Sequence, residues 1–373
     1  MLCLATCKLG LESVVAGELR ALSINLESVR DARVFFHADA DALFKALLFL
    51  RAAERVLVVV KTFEARTFDE LFEGVKAIPW REYLLRDSFI HVNGKSARSA
   101  LFSVSDCQRI VKKAIVESLR GAYHTTLLPE TGKEIIVEVG MLRDTATIAL
   151  DACGAGLARR GYRICNVAAP LSETLGAGLV LLSRYRGDRP FLDPMCGSGT
   201  IPIEAAMIAK NIAPGFGRGF AAEDWHFIPA TRAAIRAREE ARDGIRNIPL
   251  DIAGSDSDAR SVALCKKHAK RAGVMIRWAV RPLADLSAQP SGGILVTNPP
   301  YGDRMMDERA VKALYHDMRG VFAGLHDWSV HIISACREFE RAYGLRAHKR
   351  RKLTSGGKPC VFYQYFPARQ KKP

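Results

Sequence analysis

The sequence contains no CxxC pair, although nine of its 373 residues are cysteine. An odd thiol count without that spacing excludes a disulfide framework or a zinc ribbon and fits reduced thiols in a cytosol. Cys3 and Cys7 alternate with core-like residues, and two ligands alone do not fill a tetrahedral metal site. The histidines (His37, His91, His124, His226, His268, His316, His326, His331 and His348) show no ligand spacing, so no metal is expected. No apolar run reaches the ~18–20 residues of a membrane span. The N-terminus has no basic stretch ahead of a long apolar one, so neither a signal peptide nor membrane attachment is expected, and the location is read as cytoplasmic. Internal repeats, a GK[ST] phosphate loop and a GxGxxG fingerprint are all missing. Acidic residues stop at Glu340, and ten lysines and arginines follow it.

What is present is globular: 49% hydrophobic and 25% charged residues, with length for two or three domains. The net charge of +15 is unevenly placed. Residues 1–160 hold 22 basic and 20 acidic side chains, the remainder 33 and 20. The block Arg346, Lys349, Arg350, Arg351 and Lys352 borders strand-like sequence, which would hold it on a folded surface. It reads as a footprint for a polyanion, most simply nucleic acid, RNA or DNA, although a solvated tail shares the composition and an anionic membrane surface would attract the same charge.

Hydrophobic periodicity gives short strands and helices up to about residue 158, an α+β region without a parallel-sheet pattern. Past Gly161 strands and helices alternate regularly. That argues for a doubly wound, Rossmann-like α/β domain with ligands at the strand C-termini. The boundary is expected near 155–170.

Three motifs follow in order within the second region. Asp193-Pro194-Met195-Cys196-Gly197-Ser198-Gly199-Thr200 leaves a strand and opens a helix, and its glycines would let backbone approach a ligand. Asp193 can accept from an amine or balance a cation. Asp256 ends the next strand, where a carboxylate can bind both hydroxyls of a ribose, and Asp258 is expected to cap the helix after it. Asp285, after a further strand, could accept from an adenine amino group or simply be solvated. Residues 211–250 read as an insertion between the first two motifs.

Asn298-Pro299-Pro300-Tyr301 follows an apolar strand. The prolines stiffen the chain and remove two donors. The Asn298 oxygen and the Pro299 carbonyl can then hold a planar exocyclic amine while Tyr301 offers a stacking face. Cys196 lies in the glycine turn and reads as a small residue there, not as a nucleophile.

The Asp193–Thr200 stretch resembles motif I of S-adenosylmethionine-dependent methyltransferases, and Asn298–Tyr301 resembles motif IV of the amino methyltransferases. Further stretches extend the likeness over nearly the whole chain: Ala5-Thr6 with Gly10-Leu11-Glu12, Ser103–Ile115, Arg159–Arg163 with Ala169–Leu175, Ala213-Pro214-Gly215 with Glu223-Asp224-Trp225, and the ending Cys360–Phe366. Together they are similar to the THUMP-domain guanine-N2 RNA methyltransferases of bacteria, closest to those acting on 23S rRNA. The resemblance implies a ferredoxin-like segment at 1–55, a THUMP RNA-binding domain at 56–158 and a methyltransferase domain at 159–373. It implies S-adenosylmethionine held by Thr174, Asp193, Pro194, Cys196, Gly197, Ser198, Gly199, Thr200, Asp256, Asp285 and Asn298. Catalysis would fall to Asn298, Pro299, Pro300 and Tyr301, and RNA contact to Arg109, Lys112 and Lys113 besides the C-terminal cations. A monomer and a dimer both fit. Larger relatives carry a second methyltransferase domain, for which this chain is expected to be too short. A tRNA guanine-N2 enzyme, a protein glutamine methyltransferase and a non-catalytic RNA-binding module are the competing readings. Trp225 and Phe227 could stack a base or pack in the core.

Overall fold

The computed structural model describes residues 1–164, 171–286, 289–301 and 308–367. In the first half β1 (Leu2–Cys7), α1 (Glu12–Ala21), β2 (Leu26–Arg30), β3 (Arg33–His37) and α2 (Ala40–Phe49) precede the long strand β4 (Ala53–Glu64). Then come α3 (Phe68–Lys76), β5 (Phe89–Ala97), α4 (Val104–Tyr123), β6 (Glu134–Leu142) and β7 (Thr145–Asp151). Local chemistry starts the helices. Asp39 accepts from Ala42 N–H at 2.8 Å to cap α2, and Thr67 and Glu70 cap α3 reciprocally.

These strands form one sheet in the order β2-β3-β1-β4-β7-β6-β5. The expected 55/56 division falls inside β4, which pairs with β1 on one side and β7 on the other. All pairings are antiparallel except β5 with β6, which are parallel across the α4 crossover. The region therefore does contain a parallel pair, contrary to the sequence reading. Strand β2 is a largely exposed edge strand, so it carries no hydrophobic alternation.

The second half contains α5 (Glu173–Ser183), β8 (Phe191–Asp193), α6 (Thr200–Ala209), α7 (Ala230–Asp243), β9 (Ile252–Asp256), α8 (Ala259–Arg271), β10 (Arg277–Val280), β11 (Ile294–Thr297), α9 (Glu308–Ala323), β12 (Ser329–Ser334), α10 (Phe339–Tyr343), β13 (Lys349–Ser355) and β14 (Lys358–Tyr365). The sheet order is β10-β9-β8-β11-β12-β14-β13, parallel through β12 and antiparallel in the last two strands. The mixed edge refines the parallel-sheet expectation. Strand β11 is buried on both faces and accordingly reads as the unbroken apolar run Ile294-Leu295-Val296 ahead of Thr297.

The halves are fused by buried contacts. A Cβ at Gly10 would lie 2.1 Å from the Lys352 carbonyl oxygen, and one at Gly178 would meet Leu11 at 2.9 Å. The 211–228 segment also reaches back: Gly215 N–H donates to Leu48 O at 3.0 Å, Ala222 N–H donates to Ala152 O at 3.1 Å, and Arg218 binds the carbonyls of Cys153 and Gly156. Trp225 is buried there and stacks on Phe227 at 5.1 Å, which assigns it to packing. On the small-residue face of α7, Ala230, Ala233, Ala234, Ala237 and Ala241 are buried, and the helix packs against α2.

Candidate active site

The Asp193–Thr200 loop, Asp256 and the Asn298–Tyr301 turn meet at the C-terminal ends of β8, β9 and β11, neighbours in the sheet. Asp193 is buried at the end of β8. Its Oδ1 accepts from the Thr297 hydroxyl at 2.7 Å and from Met195 N–H at 3.2 Å. Burial raises its pKa to about 7, and the nearby Asp256 charge adds to the rise against those hydrogen bonds. A carboxyl so poised is near half-ionised at neutral pH, and an arriving cation favours its charged form.

The loop itself is built by backbone constraint. Gly197 has φ +52° and Gly199 φ +83°. At Gly199 a Cβ would press on Trp278 at 2.9 Å and on the Cys265 thiol at 3.0 Å, whereas at Gly197 it would enter open space. The loop is packed tightly beneath Gly199 and bare at Gly197, as a ligand-facing turn requires. Asp256 joins the first and second motifs: its Oδ2 accepts from Gly197 N–H at 2.9 Å and its Oδ1 from Asp258 N–H at 3.0 Å. Asp258 caps α8 through Arg260 and Ser261 N–H.

Two helical residues that sequence reasoning passed over hold the loop from below. The Cys265 thiol donates to the Gly197 carbonyl at 3.1 Å, and His268 Nδ1 lies 3.1 Å from the Ser198 carbonyl oxygen. They stand three residues apart on the buried face of α8, and that spacing is the one signal that could have found them. Cys196 is buried 3.8 Å from Cys265. That hydrogen bond, then burial, push its thiol well above the ordinary range, so it is no thiolate nucleophile. Pro194 accepts weakly from Ser255 at 3.5 Å, and Ser198 and Thr200 are buried.

On the reaction side, Pro299 is buried and Asn298 and Pro300 half-buried, with the Pro300 carbonyl accepting from Tyr315 at 3.1 Å. Tyr301 is half-buried. The Asn298 Oδ1 is buried and has no hydrogen-bond partner among the described residues. An amide oxygen left so is rare, because the desolvation cost goes uncompensated. The residues after Tyr301, 302–307, lie outside the described residues.

Other candidates are placed differently. Thr174 is buried on α5 and its hydroxyl donates to Glu54 of β4, so that group serves the junction between the halves. Asp285 is exposed at the end of a short 3-10 turn. In the Arg159–Arg163 stretch Arg163 Nη2 donates to Thr200 Oγ1 at 2.8 Å and pairs with Glu173 at 3.2 Å. Arg160, buried, lies 3.5 Å from Glu204 of α6, which also accepts from Tyr162 at 3.1 Å. This stretch braces the cofactor-loop helix; Cys165, Ala169 and Pro170 beyond it lie outside the described residues.

Several cations read as RNA contacts already have partners. Arg351 donates to Gly10 O and Ser13 Oγ, both at 2.6 Å, pinning β13 to the N-terminal half. Arg350 pairs with Glu340 at 2.8 Å. Lys112 pairs with Glu130 at 3.0 Å, Arg109 pairs with Asp106, and Lys113 lies 5.6 Å from the Phe72 ring centre. Arg346, Lys349 and Lys352 are exposed. Arg369, Lys371 and Lys372 lie outside the described residues. Among the described residues no cluster of three metal-ligating side chains occurs, and no helix is long and apolar enough to cross a membrane.

The fold and motifs match known proteins over the whole chain. Residues 3–57 match the RlmL ferredoxin-like domain, 65–151 the THUMP domain and 160–364 the RMKL-like methyltransferase domain. YpsC of Bacillus subtilis (strain 168) is 44% identical over 97% of this chain and 95% of its own. The ribosomal RNA large subunit methyltransferase K/L of Syntrophotalea carbinolica is 33% identical over 98% of this chain; the chain spans 54% of that relative's length. Among solved structures, SMU.472, complexed with SAH, is 40% identical with a TM-score of 0.92, covering 99% of each chain. A Listeria monocytogenes protein named as a predicted N6-adenine-specific DNA methylase is 44% identical with a TM-score of 0.91, covering 98% of this chain and 96% of that one. The chain belongs to the family of THUMP-domain, RMKL-like methyltransferases that use S-adenosylmethionine.

Proposed function

We propose that the protein methylates the exocyclic N2 amine of a guanosine in RNA, in 23S rRNA before tRNA. The observation that carries the reading is the orphaned, buried Asn298 oxygen at the end of β11. An aromatic amine is a weak nucleophile because its lone pair is delocalised into the ring. An oxygen with no donor of its own, backed by a rigid Pro-Pro turn, suits one N–H of such an amine; the Pro299 carbonyl suits the other. Tyr301 then offers the ring a face to stack on.

The bound cofactor supplies an electrophilic methyl on a sulfonium. This chain's part is to bind it, orient it and keep water out. The bare face at Gly197, the Asp193 carboxyl and the Asp256 carboxylate form a set suited to a ligand with a cationic end and a hydroxylated sugar, and to no phosphate. Asp193 meets the cationic end in this reading, and Asp256 reaches the sugar while keeping the loop closed.

The THUMP match and the large-subunit relatives favour RNA, and ribosomal RNA over tRNA. The Listeria protein's name supports a second reading, adenine N6, because an Asn-Pro-Pro-Tyr turn holds that amine equally well. Incubation with methyl-labelled S-adenosylmethionine and RNA from cells lacking the gene, split into ribosomal and transfer fractions, separates these. Labelled N2-methylguanosine in large ribosomal RNA supports the proposal. The same nucleoside in tRNA moves the target, N6-methyladenosine changes the base, and label only in protein overturns an RNA substrate.

A further inference from the structure

The Asn298–Tyr301 turn cannot fix itself. Its two prolines lock φ but carry no N–H, so rotation about ψ is held by donors from elsewhere in the fold. Ahead of the turn, Thr297 is tied to Asp193 at 2.7 Å. Within it, the Pro300 carbonyl accepts from the Tyr315 hydroxyl of α9 at 3.1 Å. Tyr315 is fully buried, and the same hydroxyl lies 3.1 Å from Ser334 Oγ at the end of β12. Ser334 Oγ in turn accepts from Cys336 N–H at 3.0 Å.

Proton count sets the direction of each bond. A carbonyl only accepts, so the single Tyr315 proton goes to Pro300. Ser334 then donates its own proton to the Tyr315 oxygen, and a lone pair of Ser334 takes the Cys336 N–H. The result is a one-way chain from Cys336 through Ser334 and Tyr315 to Pro300, with both hydroxyl protons committed. Each bond polarises the next, which makes the donor at Pro300 stronger than a lone tyrosine. The ring in the middle is held as well, with Phe339 edge-on at 4.9 Å. A planar peptide group joins Pro300 to Tyr301. Pinning its carbonyl fixes that plane, and with it the direction in which Tyr301 leaves the turn.

We propose that Tyr315 and Ser334 are positioning residues for methyl transfer: their hydroxyl chain orients the Pro300–Tyr301 peptide, and so the face against which the target base is held. The proposal rests on the amine-holding reading of the turn and extends it to two residues that act through Pro300. The cofactor loop is held by different groups, Cys265, His268 and Asp256. The two sides of the site are thus braced separately. That separation gives the chain its signature: losing it slows transfer and leaves cofactor affinity alone.

Tyr315→Phe keeps the ring and removes only the hydroxyl. In the full chain, with labelled S-adenosylmethionine and ribosomal RNA, it is expected to lower kcat about tenfold, the scale of a small misplacement of reacting groups. The KM for S-adenosylmethionine and the calorimetric affinity for S-adenosylhomocysteine should stay at wild-type values. Ser334→Ala, one bond further from the turn, should cost about threefold, and the double variant no more than Tyr315→Phe alone, because the two act in series. Deuterium exchange of the peptide carrying the Asn298 and Tyr301 amides should quicken in both variants, a readout that requires no substrate. Wild-type kcat in Tyr315→Phe overturns the proposal, as does an equal loss of kcat and cofactor affinity, or a double variant that loses the product of both factors. Asn298→Ala is run beside them. An inactive Asn298→Ala with a fully active Tyr315→Phe overturns the chain and leaves the amine-holding reading standing. A fully active Asn298→Ala, or a wild type that methylates no RNA, overturns that reading. Exchange then judges the chain by itself, with quickening in its favour and no change against it.

Discussion

The Thr297 hydroxyl donates to the Asp193 carboxylate at 2.7 Å, although 104 positions separate the two residues. Thr297 immediately precedes Asn298. The end of β8 and the start of the turn proposed to hold the amine are therefore one hydrogen bond apart.

Asn298→Ala should abolish methyl transfer, with a loss of ~100-fold or more in kcat, since one preorganised electrostatic partner is worth about that much. S-adenosylhomocysteine binding, followed by calorimetry, should stay within a few-fold of wild type. Full activity in the variant would remove Asn298 from the mechanism.

The raised pKa of Asp193, about 7, gives a signed pH dependence. Between its unfolded value near 4 and about 7 the folded protein binds the extra proton. Its contribution to stability is thus complete at low pH and fades as pH rises through about 7. A cationic ligand reverses the preference, so cofactor affinity should climb with pH across the same window. Asp193→Asn should flatten both trends, in thermal melts and in calorimetric titrations at pH 6 to 8.

His331 is buried in β12, stacked 5.7 Å from Phe362, and neither ring nitrogen has a hydrogen-bond partner among the described residues. Burial lowers its pKa to about 3. The unfolded chain takes up this proton below about 6.5 and the folded one does not, so this residue removes stability as pH falls from about 6.5 to 3. His331→Leu should raise the melting temperature at neutral pH, through loss of an unsatisfied polar group, and raise it further at pH 5. An equal gain at both pH values would refute the titration account.

Gly10→Ala should disrupt the junction of the two halves, because its Cβ would strike the Lys352 carbonyl oxygen and φ is +91°. Arg351→Ala removes the two bonds to Gly10 and Ser13. Both should lower the melting temperature. Lys349→Glu with Lys352→Glu should leave it unchanged and is therefore the cleaner probe of C-terminal charge in RNA binding, read as the salt slope. A stable Arg351→Ala protein would show that the junction does not depend on this contact.

The sequence by itself determined the local chemistry. Gly197 and Gly199 in a turn after a strand, Asp256 and Asp258 at the next strand end, and the Asn298–Tyr301 turn are demands made by neighbouring residues on one another, so spacing exposes them. Regular alternation gave the second sheet, and Asp258 marked a helix start as its cap. Tertiary structure decided what distant groups do. The single N-terminal sheet, the bracing of the Gly197–Gly199 loop by Cys265 and His268, and the use of Arg351 and Thr174 at the junction all join segments far apart in the chain. A charge such as Arg350 or Lys112 looks free for RNA in the sequence because its partner, Glu340 or Glu130, is named only by the fold. Burial likewise decides that the Asn298 oxygen lacks a donor among the described residues and that the Asp193 pKa is raised, since both depend on solvent excluded by the folded chain.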